Sequence, residues 1–253
     1  MKYYIYVSDA KLDMLYAQIP RRVVDRLATE LTVDLQLLSI SLKEKPSDEN
    51  RYAKLKLVAG YIDKHLKVGT VDEPEAYFRG NLPMRWGPLG GYFGVKNPNL
   101  DDPLCWYGSD VCFEWDPAVQ SAVYFGGFTA ETVLGLGGSL HHVIGHYGDK
   151  PRVCTSSAPV LLALLGREPR DGVDPHLQDI GKPGGFPIPR FEIMSVVHTT
   201  AVMRGPQQRV EFLAKRLLER RIRDFPTPLQ DIWPDKNQAH VLLGTPIYVA
   251  LAD

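Results

Sequence analysis

Cysteine is scarce in this chain. Cys105, Cys112 and Cys154 are an odd set, and no two form a C-x-x-C pair. That argues against a disulfide frame and for reduced thiols in a cytoplasmic protein. Long apolar runs are missing as well. None exceeds Val160 to Leu165, which is far short of a bilayer crossing, so no membrane partner is expected. An excess of charge of either sign is also absent. The formal net charge of -1 removes any bulk electrostatic case for nucleic acid or for an acidic membrane surface. There is no internal repeat and no low-complexity tract. The opening KYYIYV reads as a short strand, not as a leader peptide.

What remains is ordinary globular material. Hydrophobic residues make up 44% and charged residues 23%, enough apolar content for a sizeable core. A length of 253 residues is read as one domain, with the Gly-, Pro- and aromatic-rich stretch 68–110 as the place for a weak boundary.

Ser121 to Tyr147 carries the densest chemistry. Ala122 to Phe125 reads as a strand that Gly126-Gly127 ends or bulges, and Thr132 to Leu136 reads as a second strand. Gly137-Gly138-Ser139 then precedes Leu140, Val143, Ile144 and Tyr147 at helical spacing. Ser139 fits an N-cap. The two glycines would let backbone amides approach a ligand beside the positive end of a helix, which suits an anion or phosphate. A tight strand-to-helix turn is the plainer reading, because the Lys of a P-loop and the full G-x-G-x-x-G spacing are missing.

His142 and His146 stand four apart and would share a helix face. Val143 occupies the position where H-E-x-x-H needs its glutamate, so no metal centre is expected, and no cofactor motif appears. The hydrolase elbow G-x-S-x-G fails in turn, since His141 stands where its last glycine belongs.

The rest of the chain supplies further candidates. Lys2 to Val7 is apolar on both faces, and Ser8 or Asp9 can cap a helix carrying Leu12, Leu15, Tyr16 and Ile19. Helices are expected over 22–30 and along the stripe Tyr52, Leu55, Val58, Ile62, Leu66, with a bulged strand at 32–42 between them. Over 77–86, Phe78, Gly80, Leu82, Met84 and Trp86 share one strand face and Arg79, Asn81 and Arg85 the other. Arg79, Arg85 and Trp86 could grip an anionic, ring-bearing ligand, or form the charged outer face of an edge strand. Val111 to Trp115 and Ala122 to Phe125 look like a hairpin turning at Asp116-Pro117, with Glu114 a candidate acid or base. A buried helix is expected at 160–165. The Pro- and Gly-rich segment 167–190 reads as a loop able to close over a site.

Phe191 to Met203 reads as a strand placing Met194, Val196, His198 and Thr200 on one face. A helix from Pro206 follows, with Val210, Leu213, Leu217 and Leu218 inside. The last segment, 240–251, reads as a strand pair broken at Gly244-Thr245-Pro246. The sum is an α+β fold with a substantially antiparallel sheet and flanking helices.

Two functional expectations follow. In the first, the chain binds a small, nucleotide-like anion as a sensor or accessory protein. Arg79, Arg85, Trp86, Thr132, Gly137, Gly138, Ser139 and His142 would be the binding residues. In the second it is a hydrolase or transferase, with His142 or His198 as general base and Ser139 or Thr132 as nucleophile or substrate contact. A homo-oligomer through an edge strand is compatible with either.

The segments YYIYVSDAKLDML, YFGGFTAETVLGLGGSLHHVIG and LLGTPIYVAL together resemble an uncharacterised family of bacterial, largely actinobacterial, proteins. The resemblance spans most of the chain. It implies no established activity and no catalytic residues. It does imply a setting near bacterial conflict or defence genes, and so a sensor or accessory role.

Overall fold

A computed structural model describes residues 2–33, 48–96, 111–145, 196, 200, 203, 206–221 and 240–252. In chain order these form β1 (Tyr3–Val7), α1 (Asp9–Tyr16), α2 (Arg21–Glu30), α3 (Asp48–His65), β2 (Val68–Gly69), β3 (Tyr77–Lys96), β4 (Val111–Phe128) and β5 (Thr132–Ser139). A 3-10 turn (Leu140–His142), β6 (Gln208–Arg221) and β7 (His240–Leu251) follow.

The sheet closes on itself. β3 pairs with β4, β4 with β5, β5 with β7, β7 with β6, and β6 returns to β3. Where the ring is closed, these strands have a partner on both sides, which covers edges that would otherwise invite aggregation. β7 is the hinge of the arrangement. One of its edges runs along β6 throughout. The other is shared, with β5 taking His240 to Gly244 and β1 taking Tyr248 to Leu251. β3 differs: β6 runs along one of its edges from Tyr77 to Met84 and β4 along the other from Met84 onward, so the two pairings overlap at Met84. Pro83, which has no amide proton to give, sits just before that overlap, opposite Arg209 of β6.

The α+β class holds, but the sheet is mixed. β5 runs parallel to β7 and β2 parallel to β3, while the other pairings are antiparallel. The parallel pair arises because β5 and β7 are not consecutive: a hundred residues of chain between them leave room for a crossover that no hairpin could make.

Alternation along the strands fills the barrel. Phe78, Leu82, Met84, Val123, Phe125, Leu134, Leu136, Val210, Phe212, Ala214, Leu242 and Val249 form one buried cluster. A second cluster lies between helices and sheet. It joins Leu12 of α1, Val24 and Leu27 of α2, and Leu55, Val58 and Ile62 of α3 to Leu213, Ile247 and Ala250 on the sheet's other face. The expected helices, from Ser8 or Asp9 through Ile19, over 22–30 and along Tyr52 to Leu66, are therefore present, although the first ends at Tyr16 and the third at His65, and their apolar stripes are what they bury.

Several expectations are corrected. Residues 208–221 form β6, not a helix. Leu, Glu, Lys and Arg favour helix locally, but Val210, Phe212 and Ala214 also alternate. Ladder bonds on both sides to β3 and β7 decide the outcome. The expected hairpin at Asp116-Pro117 is a bulge inside β4. Gly90 pairs with Gln120 and Gly91 with Asp116, so the intervening residues loop out of the ladder. Segment 240–251 is one strand, with Pro246 opposite Ala214 at a register shift. Val196 and Thr200 have helical backbone, not extended. The side chains of both are buried: Tyr124 Oη meets Thr200 Oγ1 at 2.8 Å and donates to the Val196 carbonyl at 3.2 Å. Of the expected strand at 32–42 only Thr32 and Val33 are described, Thr32 in a turn at φ +53° and neither in a strand; the rest of it, the helix at 160–165, the loop 167–190, His146 and His198 lie outside the described residues.

Candidate functional site

The helix expected after Ser139 is absent, and with it the anion seat of free amides. Gly137, Gly138 and Ser139 are the last residues of β5, paired with Tyr124, Val123 and Ala122. Ser139 makes no side-chain cap, and the turn after it is only three residues long. The glycine at 138 has a different reason. A Cβ there would stand 2.7 Å from Cζ of Tyr6, so the hydroxyl end of the Tyr6 ring lies against bare backbone.

That ring leads to the site. Tyr6 and Ser8, at the end of β1, are fully buried. The Ser8 amide donates to the Ile247 carbonyl at 2.9 Å, which fixes the strand end. The Ser8 carbonyl then accepts from Leu12 N at 2.9 Å and starts α1. Ser8 has the N-cap position but its hydroxyl does not cap. Instead Ser8 Oγ accepts from Lys11 Nζ at 3.3 Å. Lys11, one turn into the helix, points inward and is only 8% exposed. Its ammonium lies 5.9 Å from the centre of the Tyr6 ring. Among the described residues no carboxylate pairs with it. Burial alone pulls its pKa down from the ordinary lysine value to about 7.

The upper rim is charged. Asp9 is held by Arg51 from the first turn of α3, with Nε on Oδ1 at 2.7 Å and Nη2 on Oδ2 at 2.8 Å. This two-pronged bond occupies one of the two carboxylates nearest to Lys11 in the chain, and the other, Asp13, accepts from Lys54 Nζ at 2.6 Å. His142 comes from the turn after β5. Ile144 N donates to the Ile5 carbonyl at 2.8 Å and Tyr6 bridges to Val143, which ties that turn to β1. The tie brings His142 Nδ1 to 4.0 Å from Asp9 Oδ2 and its ring edge-on to Tyr6, 6.0 Å between centres. Gly145, at φ +81°, turns the chain away in a conformation that suits glycine. Burial lowers the His142 pKa to about 4, against the opposing pull of Asp9, so the ring is neutral near pH 7. Its Nδ1 has no hydrogen-bond partner among the described residues. The Tyr6 hydroxyl lies beside Ser8 and the Ser139 backbone, yet it completes no well-formed bond there. Burial raises its pKa strongly.

The family comparison can now be stated. The model of a family of unknown function, DUF7019, matches residues 2–99 and 95–253. The chain belongs to DUF7019. The expected membership of a family with no established activity is thus shown. Comparison with curated proteins and with solved structures gave no match.

Within this DUF7019 chain the expected binding residues do not form one site. Ser139, Gly138 and His142 border the Lys11 cluster. Arg79 is elsewhere, committed to Asp63 of α3 at 2.7 Å and to Tyr248 Oη at 3.0 Å. Trp86 faces the barrel interior, stacked on Phe125 at 5.7 Å, with Nε1 donating to Gln208 at 2.8 Å. It still communicates with the site, because Phe125 meets Tyr6 edge-on at 6.0 Å. Arg85, the neighbour of Trp86 on β3, is half-buried and pairs with Gly126 across the ladder. Thr132 opens β5, opposite His240 and at the far end from Ser139, so it does not join the cluster. Glu114 stands in β4 opposite Phe93. Among the described residues no group of His, Cys, Asp and Glu is arranged to hold a metal, and no helix is long and apolar enough to cross a membrane.

Sequence reasoning reaches Lys11 only in its lesser reading: Lys11 and Asp13 are read first as solvent-facing and second as reaching a site at the C-terminal end of the first strand. It misses Asp9 and Arg51 as site members. The helical stripe through Leu12, Leu15 and Tyr16 puts Lys11 outside the apolar face of α1. That stripe describes packing on α3, whereas Lys11 lies over the end of β1. One signal was available: Tyr6, Ser8, Asp9 and Lys11 lie within six residues where a strand runs into a helix.

Proposed function

We propose that the protein binds a small molecule through an anionic group, of the kind a nucleotide carries, at the cluster formed by Ser8, Lys11 and His142. The role fits a sensor or accessory protein of the cell interior. The resemblance to bacterial proteins encoded near conflict genes supplies a setting for it. One observation carries the reading: Lys11 is a buried amine with a hydroxyl as its hydrogen-bond partner and no carboxylate pairing it among the described residues. Burying an ammonium without a counter-charge is costly, and an incoming anion removes that cost. Arg51 adds positive charge at the rim while keeping Asp9 from filling the anion's place.

A thermal-shift panel of pyrophosphate, nucleotides and sugar phosphates tests this. A binder present at about a hundredfold its Kd stabilises the fold by roughly 2.7 kcal/mol, a clear rise in Tm. The rise should vanish in Lys11→Met. A panel without effect, or an effect that survives in Lys11→Met, contradicts the reading.

The Asp9–His142 approach favours a second reading, a hydrolase or transferase with His142 as general base. Neutral imidazole can accept a proton, and Asp9 lies near enough to stabilise the cation formed. This reading expects turnover of an ester or phosphoester that is lost in His142→Gln.

A further inference from the structure

We infer that Lys11 is a carbonyl-reactive amine, which forms an imine with an aldehyde or ketone that also bears an anionic group. The inference deepens the anion-binding reading and rests on it for the choice of substrate class.

The geometry supplies each part. Lys11 Nζ is held in place by Ser8 Oγ at 3.3 Å, a weak tie that leaves the nitrogen lone pair free once the amine is neutral. The Tyr6 ring stands on one side of it, 5.9 Å from ring centre to nitrogen, and gives the reacting carbonyl an apolar wall. His142 lies edge-on to that same ring, its Nδ1 unpartnered among the described residues and able to accept a proton. Asp9 and Arg51 lie at the more open rim, with side chains 37% and 26% exposed. Tyr6, Ser8 and Lys11 are buried at the base of the site, which favours loss of water from the adduct. Burial also keeps a large share of the amine unprotonated near neutral pH, where an ordinary lysine has almost none.

The step balances without any oxidant. The Nζ lone pair attacks the carbonyl carbon, and the C–O π pair moves to oxygen, which takes up a proton. The nitrogen gives up a proton to His142 or to water. The resulting carbinolamine is protonated on oxygen and expels water, leaving a cationic C=N iminium. The anionic substituent of the substrate then stands close to the iminium charge and opposes loss of its N–H proton.

Pyridoxal 5′-phosphate and unphosphorylated pyridoxal, each trapped with cyanoborohydride on the full chain and mapped by peptide mass spectrometry, test the inference. Lys11 should be labelled by the phosphorylated probe at least about tenfold faster than exposed Lys67, since the share of free amine at pH 7 differs by roughly a thousandfold or more. His142→Gln should slow labelling at Lys11 and leave Lys67 unchanged. Labelling of Lys11 no faster than Lys67 by either probe overturns the inference, whatever shift pyrophosphate gives in the melting temperature. Equal labelling of Lys11 by both probes sustains the imine site and counts against the anion reading. Circular dichroism of His142→Gln separates a chemical effect from loss of fold.

Discussion

Lys11 Nζ lies 3.3 Å from Ser8 Oγ, and both residues are buried where β1 meets α1. A lysine that hydrogen-bonds the residue one helical turn before it, with no carboxylate pairing it among the described residues, does nothing for stability as a cation. Its cost sets the first expectation.

The folded-state pKa of Lys11 is about 7 and the unfolded value is that of ordinary lysine, 10.5. Between these two values the unfolded chain binds more protons, so stability rises with pH across that window. Below about pH 7 the full cost is present, on the order of 5 kcal/mol by linkage. Lys11→Met removes this dependence. Urea unfolding at pH 6, 8 and 10 should find the variant more stable than the parent at pH 6, with the gap closing by roughly 1 kcal/mol per pH unit as the pH rises toward 10. A gap that does not change with pH contradicts the placement of Lys11.

His142 acts on the acid side. Its folded pKa of about 4 lies below the ordinary 6.5, so the unfolded chain binds more protons between those values and stability falls as pH drops through them. Arg51 and Asp9 pull this value in opposite directions, and Arg51 also holds Asp9 away from full pairing with His142. Arg51→Met therefore frees Asp9, and the His142 pKa should rise by about one unit or more in a proton NMR titration, shifting the acid limb of stability with it. An unchanged His142 titration in Arg51→Met would show that Asp9 and His142 do not interact.

Gly138 tests the packing under Tyr6. An alanine there places its Cβ against the Tyr6 ring and hydroxyl, and both Gly138 and Tyr6 are held by strand pairing, so neither can retreat freely. Gly138→Ala should cost roughly 1–3 kcal/mol. Gly87→Ala is the control, because nothing lies within 4 Å of its added Cβ. Equal losses in the two variants would remove the stated reason for Gly138.

Much of the fold was legible in local pattern. The stripes Leu12–Leu15–Tyr16 and Leu55–Val58–Ile62 gave helices, and Phe78–Leu82–Met84 gave the inward face of β3. The pattern misled where two periods coexist: in 208–221, leucines at helical spacing compete with Val210, Phe212 and Ala214 at strand spacing. Only the neighbours β3 and β7, far away in sequence, choose between them. Barrel closure was not legible for the same reason, since it depends on β6 meeting β3 and β7 at once. At the site, His142, Gly138 and Ser139 stood out by residue type. Lys11 stood out less, because a lysine beside an apolar stripe reads first as solvated and only second as reaching a site at the end of the strand. The turn after β5 that brings His142 over β1 is fixed by Ile144 and Ile5, a contact that no periodicity announces.

The titration of Lys11 itself tests the central claim most directly. With lysine labelled by 13C at Cε, the Lys11 resonance should titrate near pH 7 in the free protein, and saturating pyrophosphate should move that midpoint upward. A midpoint near 10.5 that does not respond to pyrophosphate would contradict both the buried amine and the anion site built on it.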